Sequence, residues 1–201
     1  MSRRVAVFVF DDAEELDVVG PLEVFGVAGR LRPGSFDPYT LGKKGDAVKF
    51  RYGLSVIPDK SLAQRPAFEI LVVPGGKGAR EIMKDRASLD FVREAAKDCE
   101  LVASVCTGAL VLASAGLLRG KRATTHWSAL EELAEFDGVR VEHKRYIRQG
   151  NIITSAGISA GIDMALAVVG SYEGSTLKRE VARRMEYRMA GPGKAAAARA
   201  A

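Results

Sequence analysis

The stretch ELVASVCTGALVLASAG, residues 100–116, changes from a strand pattern to a helix pattern at a single cysteine. Leu101 to Val105 has the composition of a strand buried in a parallel sheet, and from Thr107 onward small and aliphatic residues recur at helical spacing. Cys106 stands at the junction, with Gly108 two positions on, which predicts a nucleophile elbow. A helix N-terminus would favour the thiolate of Cys106, so this residue is a candidate nucleophile. A buried, unreactive cysteine is the alternative.

The composition limits the class of protein. A chain of 201 residues suits one α/β domain with a sizeable core and is too short for two ordinary domains. The net charge of +5 comes from scattered Lys and Arg with few aromatics, which predicts no nucleic-acid partner. Two cysteines, Cys99 and Cys106, are too few for a disulfide framework or a metal site, so we expect no metal and a cytoplasmic location. No membrane span or signal peptide is expected, because the first apolar run, Val5 to Phe10, is short.

Acidic residues follow the first predicted strand. Val5 to Phe10 forms a buried strand, and the sequence EELDVVGP, residues 14–21, passes from a loop into a helix with Pro21 near its first turn. The C-terminal end of such a strand is where ligands bind in an open α/β sheet. Asp17, between Leu16 and Val18, is therefore the acid expected to point inward, and the other acids are interpreted as solvated or capping.

A second strand, Phe68 to Val73, ends at the adjacent glycines Gly75 and Gly76, before a helix that extends to about Asp98. Backbone N–H groups at adjacent glycines can face a phosphate or an oxyanion, although a plain tight turn has the same pattern. A segment further along the chain places His126 and Trp127 at the end of another predicted strand. His126 is a candidate pocket residue, with a hydrogen-bonded core histidine as the alternative.

The alternation of strands and helices predicts one α/β domain over residues 1–189, with a doubly wound, mostly parallel sheet flanked by helices. Residues 190–201 form an alanine-rich tail that we expect to be disordered.

Five motifs occur in the order and spacing of the ThiJ/PfpI superfamily, and the resemblance covers about residues 4–189. They are LDVVGP at 16–21, VPGG at 73–76, SVCTG at 104–108, ATTHW at 123–127 and TSAGISAGID at 154–163. The resemblance implies a flavodoxin-like fold of the class I glutamine amidotransferase-like type. Within the superfamily, the chain is most similar to isonitrile hydratases and to amidotransferase-like domains of AraC-type regulators.

The resemblance also implies roles for individual residues. Cys106 would be the nucleophile and Asp17 the carboxyl group facing it, with Glu15 left as an alternative. Thr107 would help to form the pocket, and its amide would join those of Gly75 and Gly76 in a cradle for an anion. The same resemblance places His126, Trp127 and Ile158 around the pocket. Thr107 stands where peptidase-like and amidase-like members carry a histidine, so a Cys-His dyad of that type is absent.

The function implied is that of an isonitrile hydratase, a cofactor-free lyase that adds water to a small-molecule isonitrile through a Cys106 thioimidate, with Asp17 as acid and base. The alternatives are a glyoxalase or deglycase acting on methylglyoxal, a thiol-based redox or stress-response protein, and a ligand-binding protein. A homodimer is expected from the resemblance. Its interface would use an apolar face of the first helix formed by Val18, Val19, Leu22 and Phe25.

Overall fold

The computed structural model describes residues 2–190 and residue 193. The strands are β1 Arg3–Val9, β2 Phe36–Gly42, β3 Val48–Lys49, β4 Ser55–Val56, β5 Lys60–Ser61, β6 Ile70–Val73, β7 Leu101–Val105, β8 Arg122–Ala123, β9 Arg140–Val141, β10 Tyr146–Gln149 and β11 Ile152–Ser155. The helices are α1 Glu15–Leu31, α2 Ala79–Ile82, α3 Arg86–Asp98, α4 Gly108–Ser114, α5 Leu130–Ala134 and α6 Ala160–Arg184.

Seven strands form the central sheet, in the order β10-β11-β7-β6-β1-β2-β5. All neighbours run parallel except β10 and β11, which form an antiparallel pair. The central strands β6 and β7 are buried along their whole length, as their continuous apolar sequences require in a sheet covered on both faces. The predicted doubly wound, mostly parallel fold is therefore confirmed.

The strand order reverses between β1 and β6, since β1 continues to β2 on one side while the chain returns to β6 on the other. A crevice forms at such a point beyond the carboxyl ends of the strands. The segments that follow β1, β6 and β7 all meet there, and they carry the acidic sequence, the adjacent glycines and Cys106. The topology thus gathers three of the sequence motifs at one edge of the sheet.

Several helix boundaries differ from the sequence predictions. Helix α1 begins at Glu15, so Pro21 lies inside the helix and Asp17 lies in its first turn. The helix predicted to extend to Asp98 is two helices, because Asp85 accepts a hydrogen bond from the Ser88 amide and starts α3 anew. The C-terminal helix agrees with its sequence pattern, which predicts one helix to about Gly170 and another from Ser175, because a break at Gly174, with φ of 87°, divides it.

The predicted apolar face of α1 is partly used inside the protein. Val18 and Phe25 are buried in the core, whereas Leu16 and Val19 are each 40% exposed. Two of the four residues expected at a dimer interface therefore already pack within one chain.

The C-terminal segment is held against α6 by one buried carboxylate, that of Asp163. It accepts hydrogen bonds from Arg145 Nε at 2.5 Å, from the Tyr187 hydroxyl at 2.8 Å and from the Ala190 amide at 2.8 Å. Apart from Ala190 and residue 193, the tail predicted to be disordered lies outside the described residues. Within the described part of the chain, no helix combines the length and the apolar character needed to cross a membrane.

Candidate active site around Cys106

Cys106 lies in a sharp turn between strand β7 and helix α4. Its φ of 55° falls in the left-handed region, which a residue with a side chain seldom adopts outside such turns. The Cys106 amide donates to the Ser155 carbonyl of β11 at 3.1 Å, which ties the turn to the sheet. A Cβ on Gly108 would lie 2.2 Å from the Val73 carbonyl oxygen, so the turn requires glycine at that position. This strand-turn-helix geometry is that of a nucleophile elbow.

Asp17 is fully buried in the first turn of α1, behind Cys106. Its Oδ2 accepts a hydrogen bond from the Gly75 amide at 3.0 Å, while Oδ1 has no hydrogen-bond partner among the described residues. Burial raises the pKa of Asp17 to about 8, against the opposing effects of the Gly75 amide and the Cys106 thiol. Asp17 therefore holds its proton at neutral pH.

Glu15, the alternative acid, points elsewhere. Its Oε1 accepts a hydrogen bond from the Tyr52 amide at 2.6 Å, on the hairpin formed by β3 and β4. Asp17 instead accepts from the Gly75 amide, and a Cβ on Gly75 would lie 2.9 Å from Cys106 Cβ, so Asp17 and not Glu15 is the acid near the thiol.

The structure corrects the expectation of a favoured thiolate. Burial is the main cause that raises the pKa of Cys106, and the neighbouring Asp17 carboxylate raises it further. The backbone amide of Thr107 opposes this rise in the pKa of Cys106 without cancelling it. Since two adjacent buried anions are strongly disfavoured, a Cys106 thiolate requires a protonated Asp17.

The adjacent glycines have a different role from the predicted anion cradle. The Gly75 amide donates to Asp17, and the Gly76 amide donates to Thr107 Oγ1 at 3.0 Å. The Thr107 hydroxyl in turn donates to the Gly76 carbonyl at 3.1 Å. Both glycine amides are thus occupied inside the protein, where they fix Asp17 and Thr107 on either side of Cys106.

A second segment closes over the sulfur of Cys106. A Cβ on Gly157 would lie 2.6 Å from Cys106 Sγ and 2.9 Å from Cδ2 of His126, so only glycine fits there. His126 Nδ1 accepts a hydrogen bond from the Ser128 amide at 3.3 Å, and burial lowers the pKa of this imidazole. In its neutral form the ring therefore carries its proton on Nε2.

A cavity of about 470 Å³ opens above Cys106. The predicted pocket residues Gly76, Thr107, His126 and Ile158 line it together with Cys106. Trp127 does not; its ring lies 5.3 Å from that of His126 and is 52% exposed. Gly75 is also absent from the wall, because it lies beneath Thr107.

The cavity wall also includes residues that the sequence reasoning missed. These are Glu14, Arg51, Tyr52, Lys77, Arg80 and Ser128. The acidic run after β1 contained a usable signal, because residues three apart at the start of a helix share a face, which pairs Glu14 with Asp17. Arg51 and Tyr52 carried no such signal, since they reach the site from a hairpin whose sequence looks purely structural.

Comparison with known proteins agrees with this geometry. The model of the DJ-1/PfpI family matches residues 3–171. Isonitrile hydratase from Pseudomonas putida is 35% identical over 192 residues, which is 96% of this chain and 82% of that enzyme. Protein dj-1beta from Drosophila melanogaster is 29% identical over 187 residues, 91% of this chain and 96% of that protein.

Solved structures show the same relationship. The crystal structure of a ThiJ/PfpI family protein from Pseudomonas syringae superposes with a TM-score of 0.87 at 31% identity, covering 98% of this chain and 80% of that one. The elbow cysteine, the strand order and the family match lead to one conclusion: the chain belongs to the DJ-1/PfpI family.

Proposed function

We propose that the protein is an isonitrile hydratase, a cofactor-free lyase that converts a small-molecule isonitrile and water into an N-substituted formamide. The observation that carries the proposal is the buried pair formed by Cys106, on the wall of a cavity, and a protonated Asp17 beneath that wall. The 35% identity to an isonitrile hydratase over nearly the whole chain supports the same reaction.

The reaction begins with the addition of Cys106 to the terminal carbon of the isonitrile. The sulfur forms a bond to this carbon, and the thiol proton is transferred to the same carbon, with Asp17 as the relay. The product is a thioimidate, in which a C–H and a C–S bond have replaced the lone pair of the isonitrile carbon. Asp17 suits this role because its raised pKa keeps a proton available at neutral pH.

Water completes the reaction. It adds to the thioimidate carbon and gives one proton to the nitrogen, and the C–S bond then breaks with return of a proton to sulfur. The products are the formamide and free Cys106, so neither an oxidant nor a reductant is needed. Thr107 is the group that stabilises the departing sulfur, because its backbone amide favours the thiolate of Cys106.

The test is a gas-chromatographic assay of purified protein with cyclohexyl isocyanide, comparing the wild type with Cys106→Ala. N-cyclohexylformamide should form with the wild type and not with the variant. Methylglyoxal is assayed in parallel, because Cys106-dependent formation of lactate without any formamide would assign the protein to a glyoxalase-like reaction instead. Loss of neither substrate would contradict both enzymes and favour a thiol-based sensor or a ligand-binding protein.

We further propose a cytoplasmic homodimer whose interface includes the exposed side chains of Leu16 and Val19 on α1. Light scattering coupled to gel filtration tests the dimer. A Val19→Glu variant should elute as a monomer, and an unchanged elution volume would place the interface elsewhere.

A further inference from the structure

The cavity above Cys106 contains a carboxyl group other than that of Asp17. Glu14 lines the cavity beside Cys106 and Thr107, although only 6% of the residue is exposed. Asp17 is fully buried and forms no part of the wall. A molecule that sits above the sulfur therefore faces Glu14 directly, whereas Asp17 lies beneath the wall and can act only at the carbon that bonds to the sulfur.

The polar contacts of Glu14 leave its side chain available. Its backbone amide donates to the Gly75 carbonyl at 3.0 Å, which fixes the residue at the cavity edge. The carboxyl group makes no hydrogen bond within the described part of the chain, and its nearest cation, Arg51 Nη1, lies 3.7 Å from Oε2. Glu14 therefore presents to the cavity a carboxyl group whose nearest partner is a single cation, which leaves its oxygens available to a bound molecule.

The two halves of the proposed reaction need protons in different places. The thiol proton moves at the sulfur, where Asp17 lies. The attacking water must approach the thioimidate from the cavity, whose wall includes Glu14 but not Asp17. We infer that Glu14 is a second catalytic carboxyl, which takes a proton from the attacking water and gives it to the nitrogen of the substrate.

This inference rests on the proposed hydratase function, and the protons of the step balance. Glu14 accepts the water proton as the C–O bond forms, and donates it to nitrogen as the carbon becomes tetrahedral, so the carboxylate is regenerated. The C–S bond then breaks as the remaining hydroxyl proton passes to sulfur, which releases the formamide and the Cys106 thiol. Burial is the main cause that raises the pKa of Glu14, which makes it a better base, and Arg51 opposes this rise.

The experiment compares Glu14→Gln with Glu15→Gln, a matched change at the adjacent residue whose side chain binds the Tyr52 amide outside the cavity. General-base assistance is worth about 10²-fold or more. Formamide production by Glu14→Gln should therefore fall by about 100-fold, and that by Glu15→Gln by about twofold or less.

The decisive readout is the covalent intermediate. Intact-protein mass spectrometry during turnover of cyclohexyl isocyanide should show Glu14→Gln carrying one added substrate mass on Cys106, because attack by sulfur continues while attack by water is slow. Asp17→Asn should not accumulate this adduct, since it is impaired in the first step. A Glu14→Gln variant that is as active as Glu15→Gln, or that is inactive without any adduct, would overturn the inference.

Arg51→Met provides an independent measurement should Glu14→Gln fail to fold. Because Arg51 lowers the pKa of Glu14, its removal should move the acidic limb of the pH-rate profile to higher pH. An unmoved limb would count against Glu14 as the base. Absence of formamide from the wild type is a separate result, which would remove the hydratase function itself.

Discussion

The ionisation of Asp17 makes a quantitative prediction for stability. In the unfolded chain this carboxyl releases its proton near pH 4, whereas burial raises its pKa to about 8 in the folded protein. Between these values the folded state binds the additional proton, so the free energy of unfolding falls as pH rises. The full stability is present below about pH 4, and the loss is complete once the pH exceeds about 8.

The size of the effect follows from the same shift. Each pH unit inside the window costs about 1.4 kcal/mol, so the contribution of Asp17 should fall by about 3 kcal/mol between pH 5 and pH 7. Asp17→Asn removes this titration and keeps an oxygen that can accept from the Gly75 amide. The stability of the variant relative to the wild type should therefore rise by about 3 kcal/mol over the same interval.

The assay is urea unfolding followed by far-ultraviolet circular dichroism at both pH values. Taking the change between pH 5 and pH 7 cancels any fixed packing cost of asparagine, which is the same at each pH. Glu23→Gln is the matched control on α1, because the Glu23 side chain is exposed in the folded protein as in the unfolded chain. A difference between wild type and Asp17→Asn that stays constant to within about 0.5 kcal/mol would refute the reasoning.

Three further outcomes are expected. Gly157→Ala should lower formamide production by at least about tenfold in the cyclohexyl isocyanide assay, because the alanine Cβ would lie 2.6 Å from Cys106 Sγ. Full activity of this variant would contradict the close approach of Gly157 to the sulfur. Lys77 lines the cavity, so its positive charge should attract anionic iodoacetate to Cys106 more than neutral iodoacetamide. At low salt, Lys77→Met should therefore lower the ratio of the iodoacetate rate to the iodoacetamide rate about threefold. A similar fall in Lys97→Met, on the outer surface of α3, would show that the effect is not local. Arg145→Met should lower the unfolding free energy by about 3 kcal/mol in urea, because it leaves a buried carboxylate of α6 without its cation; a loss below about 1 kcal/mol would mean that this ion pair contributes little.

Much of the fold could be predicted from local patterns because the central strands are continuous apolar runs. Leu101 to Val105 is buried at every position, which is what its composition requires in a parallel sheet. Helix boundaries were harder to predict from the sequence, since they depend on capping contacts such as that of Asp85. The placement of Asp17 was also predictable, because it is the acid flanked by apolar residues after the first strand.

The rest of the site depends on long-range packing. The sequence has three acids within residues 14–17, and their directions are set by where α1 begins and by the Gly75 carbonyl that holds the Glu14 amide. Arg51 reaches the cavity from a hairpin, 37 residues after Glu14 in the sequence, and no local sequence pattern predicts this contact. The raised pKa of Cys106 is likewise a consequence of burial, which the helix N-terminus alone did not reveal.

The different burial of the two carboxyls explains why the site would need both. Asp17 is buried beside the sulfur of Cys106, and the carboxyl and the thiol cannot both be ionised. The thiol therefore reacts only when its proton can move to another acceptor. An isonitrile supplies such an acceptor, because its terminal carbon has a lone pair. A water molecule in the cavity lies beside the wall and not beside Asp17, so its activation falls to a group on the wall. Glu14 is held there by the same Gly75 whose amide binds Asp17, and one tight turn thereby positions both carboxyls.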